Sequence, residues 1–279
     1  MNSTYENLKR WDLSTLREEI RAGRYQSHTA GLGQGYLQAN LVILPESHAL
    51  DFMRFCQRNP KACPLTGVSD TGNPRMTTLG HDLDIRTDIP AYNIYRHGVV
   101  TESVTDISGY WREDLVAFAL GCSFTFEHAI RNAGISFWHI DNNKTVPMFR
   151  TGIETTPAGP FRGKMVVSMR AVSAEKIECV NEISSRFPLA HGAPVYWGNP
   201  EKIGITDLSN PDWGDASPVA EGEVPVFWAC GVTPQVAIEA GNLPLCITHK
   251  PGHMLITDIA EDAEVPVISF SPPKSETPK

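Results

Sequence analysis

The chain has 279 residues, 41% of them apolar, 20% charged and 9% aromatic, a globular composition that buries a core without staples. Lys+Arg 24 against Asp+Glu 32 leaves a formal net charge of −8 with no basic run, which argues against nucleic acid as a partner. Apolar runs such as 224–230 fall far below the ~20 residues of a membrane helix, and the stretch holding Lys9, Arg10, Arg17, Glu18 and Glu19 lacks the apolar centre of a signal peptide, so no membrane partner and a cytoplasmic location are expected.

Leu13, Leu16 and Ile20 recur at helical spacing, with Thr15 and Glu18 read as a capping box and Gly23 as the stop. LVIL at 41–44 reads as a short buried strand, and 47–58 as a helix ending before Asn59-Pro60. Two helices are expected at 109–121 and 124–133, broken at Gly121-Cys122. Residues 164–170 alternate as a strand, and 174–187 form an amphipathic helix with Ile177, Val180, Ile183 and Phe187 on one side.

A strand at 224–230 then runs into Gly231, Thr233 caps a helix with Pro234 at its first position, and Gly241 closes it. Strands follow at 245–249 and 254–258, and the 14 residues from 231 to 244 suffice for a parallel crossover. The expected class is α/β: a mixed sheet core with helices on both faces plus a smaller inserted α+β subdomain. The core would comprise 1–133 and 223–270, the insertion 134–222, and 271–279 a frayed polar tail.

Four segments can carry chemistry. Strand alternation in DLDIRTDIP (82–90) places Asp82, Asp84, Arg86 and Asp88 on one face, able to grip an ammonium group or a metal, or simply to form a solvated Arg–Asp pair. In GCSFTFE (121–127), Cys122 and Ser123 precede a helix start, which lowers a thiol pKa and offers N–H groups to an anion, and Glu127 follows in the first turn. In GEVPVFWACGVTPQ (222–235), Cys230, Thr233 and Gln235 lie at a strand end, where α/β folds tend to bind ligands. Arg150 and Arg170 end strand-like runs and suit carboxylate clamps, while His191, His249 and His253 lie in Gly/Pro surroundings. Pro251-Gly252 argues against a helical His249/His253 metal pair, and the six cysteines, with no Cys-x-x-Cys, read as mostly buried thiols.

Together QANLVILP (38–45), FCQRNP (55–60), DLDIRTDIP, GCSFTFE, VPMFRT (146–151), VVSMR (166–170), HGAPV (191–195), IGITDL (203–208), GEVPVFWACGVTPQ and ITHKPGHMLITD (247–258) resemble the YcsI-like hydro-lyase family, whose domain recurs in mitochondrial D-glutamate cyclase. The resemblance spans about residues 15 to 260 and implies an α/β fold of two subdomains with carbon–oxygen lyase activity. In the cyclase version, D-glutamate loses water to give 5-oxo-D-proline. Tyr196 and Trp197 after HGAPV depart from the family pattern and would narrow a pocket there.

Such a reaction needs no redox cofactor, and the chain has no dinucleotide fingerprint; neither a cofactor nor a metal is expected, and the partner is a small carboxylate substrate. A homo-oligomer is compatible but not required. Arg150 and Arg170, with Arg86, Gln235 and His249 as further binding residues, are assigned to the substrate. His191 or Glu127 is assigned as base, and Asp84 or Glu223 as a proton donor with raised pKa. Backbone N–H groups near Thr233 and Cys122-Ser123 would stabilise the oxyanion. The alternatives are a cofactor-free racemase or epimerase with Cys122 and Cys230 as opposed bases, and a non-catalytic binder of acidic amino acids or lactams.

Overall fold

A computed structural model describes residues 9–263 of the chain; the tail expected at 271–279 and the last part of the expected core, 264–270, lie outside them. The fold combines α and β structure, with two antiparallel sheets and, among the described residues, six α-helices. The larger, seven-stranded sheet is built around β1 (Tyr36–Pro45). β1 pairs with β5 (Leu115–Gly121) on one side, and with β10 (Cys246–His249) and β11 (Leu255–Ala260) on the other. β2 (Leu65–Val68) extends it beyond β5; β3 (Tyr92–Arg96) and β4 (Val99–Val104) extend it beyond β10.

β5 corrects the helix expected over 109–121; only a single 3₁₀ turn at Ser108–Tyr110 precedes it. Leu115, Ala117 and Ala119 enter one apolar cluster, whereas Val116, Phe118 and Leu120 enter another. A strand buried on both faces shows no polar alternation, so its apolar run is compatible with either period until burial decides.

The smaller sheet runs β6 (Met148–Glu154), β7 (Lys164–Ser173), β9 (Glu223–Ala229), β8 (Tyr196–Trp197). The parallel crossover expected between 224–230 and 245–249 is therefore absent, because β9 bonds β7 and β8 here while β10 bonds β1 and β3 in the other sheet.

Helix α1 (Leu13–Arg21) is capped by Asp12, whose carboxylate accepts from the Thr15 N–H at 3.0 Å, so the cap lies three residues before the one expected. Helix α2 (Glu46–Arg58) packs Phe52, Phe55 and Cys56 onto the large sheet. Helices α3 (Phe124–Asn132) and α4 (Trp138–Asp141) follow β5. The helix expected over 174–187 divides into a 3₁₀ turn at Ala174–Lys176 and α5 (Ile177–Ser185). Phe126 and Ile130 of α3 meet Val180 of α5 and Trp228 of β9, which fastens the two sheets to each other. Helix α6 (Thr233–Gly241) follows β9.

DLDIRTDIP is turn rather than strand, with one isolated bridge from Asp84 to Arg75. Its carboxylates satisfy nearby backbone: Asp88 accepts from the Asp84 N–H at 2.9 Å and Asp84 from the Arg86 N–H at 3.1 Å. Arg21 bonds Asp88 at 2.7 Å and buried Arg17 bonds Asp258 at 2.6 Å, tying α1 to this loop and to β11.

Candidate active site

Two strand–cysteine–helix corners, one from each sheet, pack into one buried cluster. β5 turns through Cys122 and Ser123 into α3, and β9 turns through Cys230 and Gly231 into α6. Thr125 N–H donates to the Cys122 carbonyl at 3.1 Å, and Thr233 N–H to the Cys230 carbonyl at 3.0 Å. Asn40 of β1 clasps both corners. Its amide donates to the Gly121 carbonyl at 2.9 Å, and a Cβ on Gly231 would lie 1.9 Å from the same amide nitrogen. Both thiols belong to one apolar cluster with Met148, Val166 and Val236. Burial pushes both up, Cys230 to about 11 and Cys122 further, against the lowering expected at a helix start.

One turn into α3, Glu127 is the centre of a buried polar cluster in which it is 1% exposed. Its Oε1 accepts from Arg170 Nε at 2.9 Å, again from Arg170 Nη2, and from His139 Nε2 at 3.0 Å. Arg170 of β7 also bonds the Ser123 hydroxyl at 3.0 Å and the Ser168 hydroxyl at 2.9 Å, and lies over the Phe126, Phe137 and Trp228 rings. Burial alone would raise the Glu127 carboxyl, but the charges and hydrogen bonds of His139 and Arg170 hold it below its ordinary value. Glu127 Oε2 is buried without a hydrogen-bond partner among the described residues.

His191 lies behind the Gly121 corner with a left-handed backbone, φ 74°. Its Nδ1–H donates to the Lys61 carbonyl at 2.9 Å, which leaves Nε2 as a bare acceptor, buried and without a partner. Burial lowers its pKa to about 4, helped by the charges of Lys61 and Arg170, so the ring is neutral. In His249, Nδ1 accepts from the Leu41 N–H at 3.1 Å; Nε2 therefore bears the proton and also has no partner.

Ser123, Glu127 and Arg170 are thus brought together, with Cys122, Cys230 and His191 around them, and the other expected residues are engaged elsewhere. Arg150 is a surface residue whose guanidinium bonds Glu239 at 3.0 Å and stacks on Trp213, so it is not among the residues gathered around Glu127. Asp84 is gripped by Arg86 at 2.7 and 2.9 Å; burial opposes its ionisation, but Arg86 and then Arg75 hold it below the usual carboxylate range, the reverse of a raised-pKa donor. That pair also engages Arg86 in its own loop, apart from the residues around Glu127. Glu223, which accepts from the Ala220 N–H at 2.8 Å, sits at the far end of β9 from Cys230, roughly 20 Å away at ~3.3 Å per residue.

Thr233 caps nothing: its hydroxyl accepts from the Val166 N–H at 3.0 Å, and its own N–H is held by Cys230. Gln235 joins the Tyr95 hydroxyl to the His249 carbonyl inside the core. Tyr196 stacks on Phe227 and Trp197 is 47% exposed, so neither narrows the cluster.

His139, Ser168 and Asn40 complete the site without having been singled out in the sequence. Their one signal was a polar side chain inside an apolar run, as in SFWHI at 136–140. Among the described residues no set of three or more His, Cys, Asp or Glu side chains is placed to hold a metal ion, and no helix is long and apolar enough to cross a membrane.

The family model described as D-glutamate cyclase matches residues 116–258, which contain both corners, Glu127, His139, Arg170 and His191. A Dinoroseobacter shibae relative described as "Putative hydro-lyase" is 70% identical over 95% of this chain and 88% of its own. A Ruegeria pomeroyi relative with a similar description is 68% identical over 98% of this chain and 100% of its own. A solved nitrogen repressor-like protein from Methanococcus jannaschii overlays at a TM-score of only 0.38 and 10% identity, covering 83% of this chain and 89% of that one.

Proposed function

The chain belongs to the D-glutamate cyclase family of hydro-lyases, and from that premise we propose that it is a carbon–oxygen lyase closing D-glutamate to 5-oxo-D-proline and water. The supporting observation is Glu127, a buried carboxylate with one oxygen fixed by Arg170 and His139 and the other unpartnered. One proton leaves the ammonium of D-glutamate before its nitrogen can bond the γ-carboxyl carbon; once that bond forms, the nitrogen becomes acidic enough for a carboxylate to accept the second. The ammonium nitrogen gives up two protons in all, and one γ-carboxyl oxygen departs with both as water. Atoms and charge balance with no outside acid, so a base that takes a proton and returns it makes a separate donor such as Asp84 or Glu223 unnecessary.

In this scheme Glu127 Oε2 relays one proton and the bare His191 Nε2 is the second acceptor. Arg170 is a positioning residue that keeps Glu127 ionised and aimed, rather than a substrate clamp. Ring closure within one bound molecule gains up to ~7–11 kcal/mol from proximity, which lowers the demand on base strength. Proton NMR of the pure protein with D- and then L-glutamate tests the reading. Ring signals of 5-oxoproline from the D isomer alone are expected, and none from either isomer would overturn it.

The paired corners support a second reading, a cofactor-free racemase with Cys122 and Cys230 as opposed bases. Deuterium entering the α-position in heavy water without 5-oxoproline would select it.

A further inference from the structure

We propose that Gln38 and Glu127 together form a seat for an ammonium head group, with Gln38 as a substrate-positioning residue. This rests on the lyase reading for the source of the amine but not for the seat itself. Gln38 of β1 is 2% exposed, and its Nε2 donates to the Leu32 carbonyl at 2.8 Å and the Thr29 carbonyl at 3.2 Å. Those two acceptors fix which end of the amide is nitrogen. The other end, Oε1, is buried with no partner among the described residues, as is Glu127 Oε2.

Both residues line one small cleft between the loop at 31–36 and α3, with Leu32, Phe124 and Ile140 as apolar walls. Its free interior is about 10 Å³, on the order of one water-sized group. Two buried acceptors, one of them ionised, are costly if left unmet, and a water-sized cation rich in N–H donors meets both. A carboxylate would be repelled. The basic side chains on the rim already face acidic partners, Arg131 with Asp141 at 3.5 Å and the His128 ring with Glu261 at 3.5 Å. The ammonium comes either from an amino-acid substrate or from the free ion, and both present the same head.

The test uses the full chain with ammonium chloride and, at equal concentration, tetramethylammonium chloride, which matches the charge but has no N–H and exceeds the space. In the wild type, ammonium is expected to shift the Gln38 side-chain amide NMR signals and raise the unfolding temperature relative to tetramethylammonium. Gln38→Leu should abolish the thermal difference. If that variant does not fold, the wild-type amide signals decide. Unmoved signals mean that water alone fills the cleft, and the proposal falls.

A second arm compares D-glutamate with glutarate, which carries the same two carboxylates and no amine. At least tenfold tighter binding of D-glutamate, lost in Gln38→Leu, assigns the seat to the substrate amine. An ammonium response with no preference for D-glutamate keeps the seat for the free ion, and then only its role in positioning substrate fails.

Discussion

A Cβ on Gly121 would lie 1.5 Å from the carbonyl oxygen of Leu189, so the end of β5 and the turn at Pro188–Ala190 touch backbone to backbone. Gly121→Ala must push that turn, and His191 with it, away from the corner. We expect a loss of at least ~3 kcal/mol, the upper end for overpacking, or failure to fold. Gly109→Ala, with nothing within 4 Å of the added carbon, serves as the control and should unfold in urea like the wild type.

Glu127→Gln removes the charge that Arg170 faces. Turnover of D-glutamate should fall at least ~100-fold, in the range of a lost general base. Stability should fall by ~3–5 kcal/mol, because Arg170 becomes a buried cation without its anion. Steady-state kinetics with urea unfolding checks both, and a decrease below tenfold in turnover would remove Glu127 from the mechanism.

His191→Asn separates chemistry from structure. Asn tolerates the left-handed backbone at φ 74°, and its side-chain amide can still donate to the Lys61 carbonyl, but no group replaces Nε2. Turnover is expected to drop more than tenfold with the urea midpoint nearly unchanged. Turnover near the wild-type level would leave Glu127 as the only acceptor.

His191, His249 and His253 are each held down to about 4 by burial, from an ordinary 6.5. Below pH 6.5 the unfolded chain binds protons that the folded chain refuses. Stability is therefore full above about 6.5 and falls as pH drops toward 4, by up to about 3 kcal/mol per histidine. Glu127 is held below its ordinary value, so its contribution to stability is full at neutral pH and is lost only at still lower pH than that of the histidines. Urea titrations at several pH values should show this slope, and His249→Asn, which keeps an acceptor for the Leu41 N–H, should flatten it. An unchanged slope in the variant would mean that His249 does not titrate there.

Elements that bury one face were legible in the sequence: α2 and α5 follow their apolar stripes closely. β5 was not, because a strand covered on both sides carries no alternation. The site was half legible. Ser123 and Glu127 share one helix start, so local spacing joins them, but Arg170 meets Glu127 across 43 residues and His139 enters from a separate short helix. Conversely, the carboxylates of 82–88 looked chemical in a row, yet each is satisfied by its own loop or by α1.

The central place of β1 in the large sheet sets a timetable for synthesis. Leu41 and His249 meet across 208 residues of chain, so the strand that carries Gln38 and Asn40 emerges long before its neighbours in β10 and β11. At ~5–20 residues per second, that edge waits roughly 10–40 s. During this interval β1 can pair with β5, and all four strands of the smaller sheet can form, but the other flank of β1 remains an open template. Long-range closure of this kind is slow, so a nascent chain is exposed to mispairing at the strand that later clasps both cysteine corners.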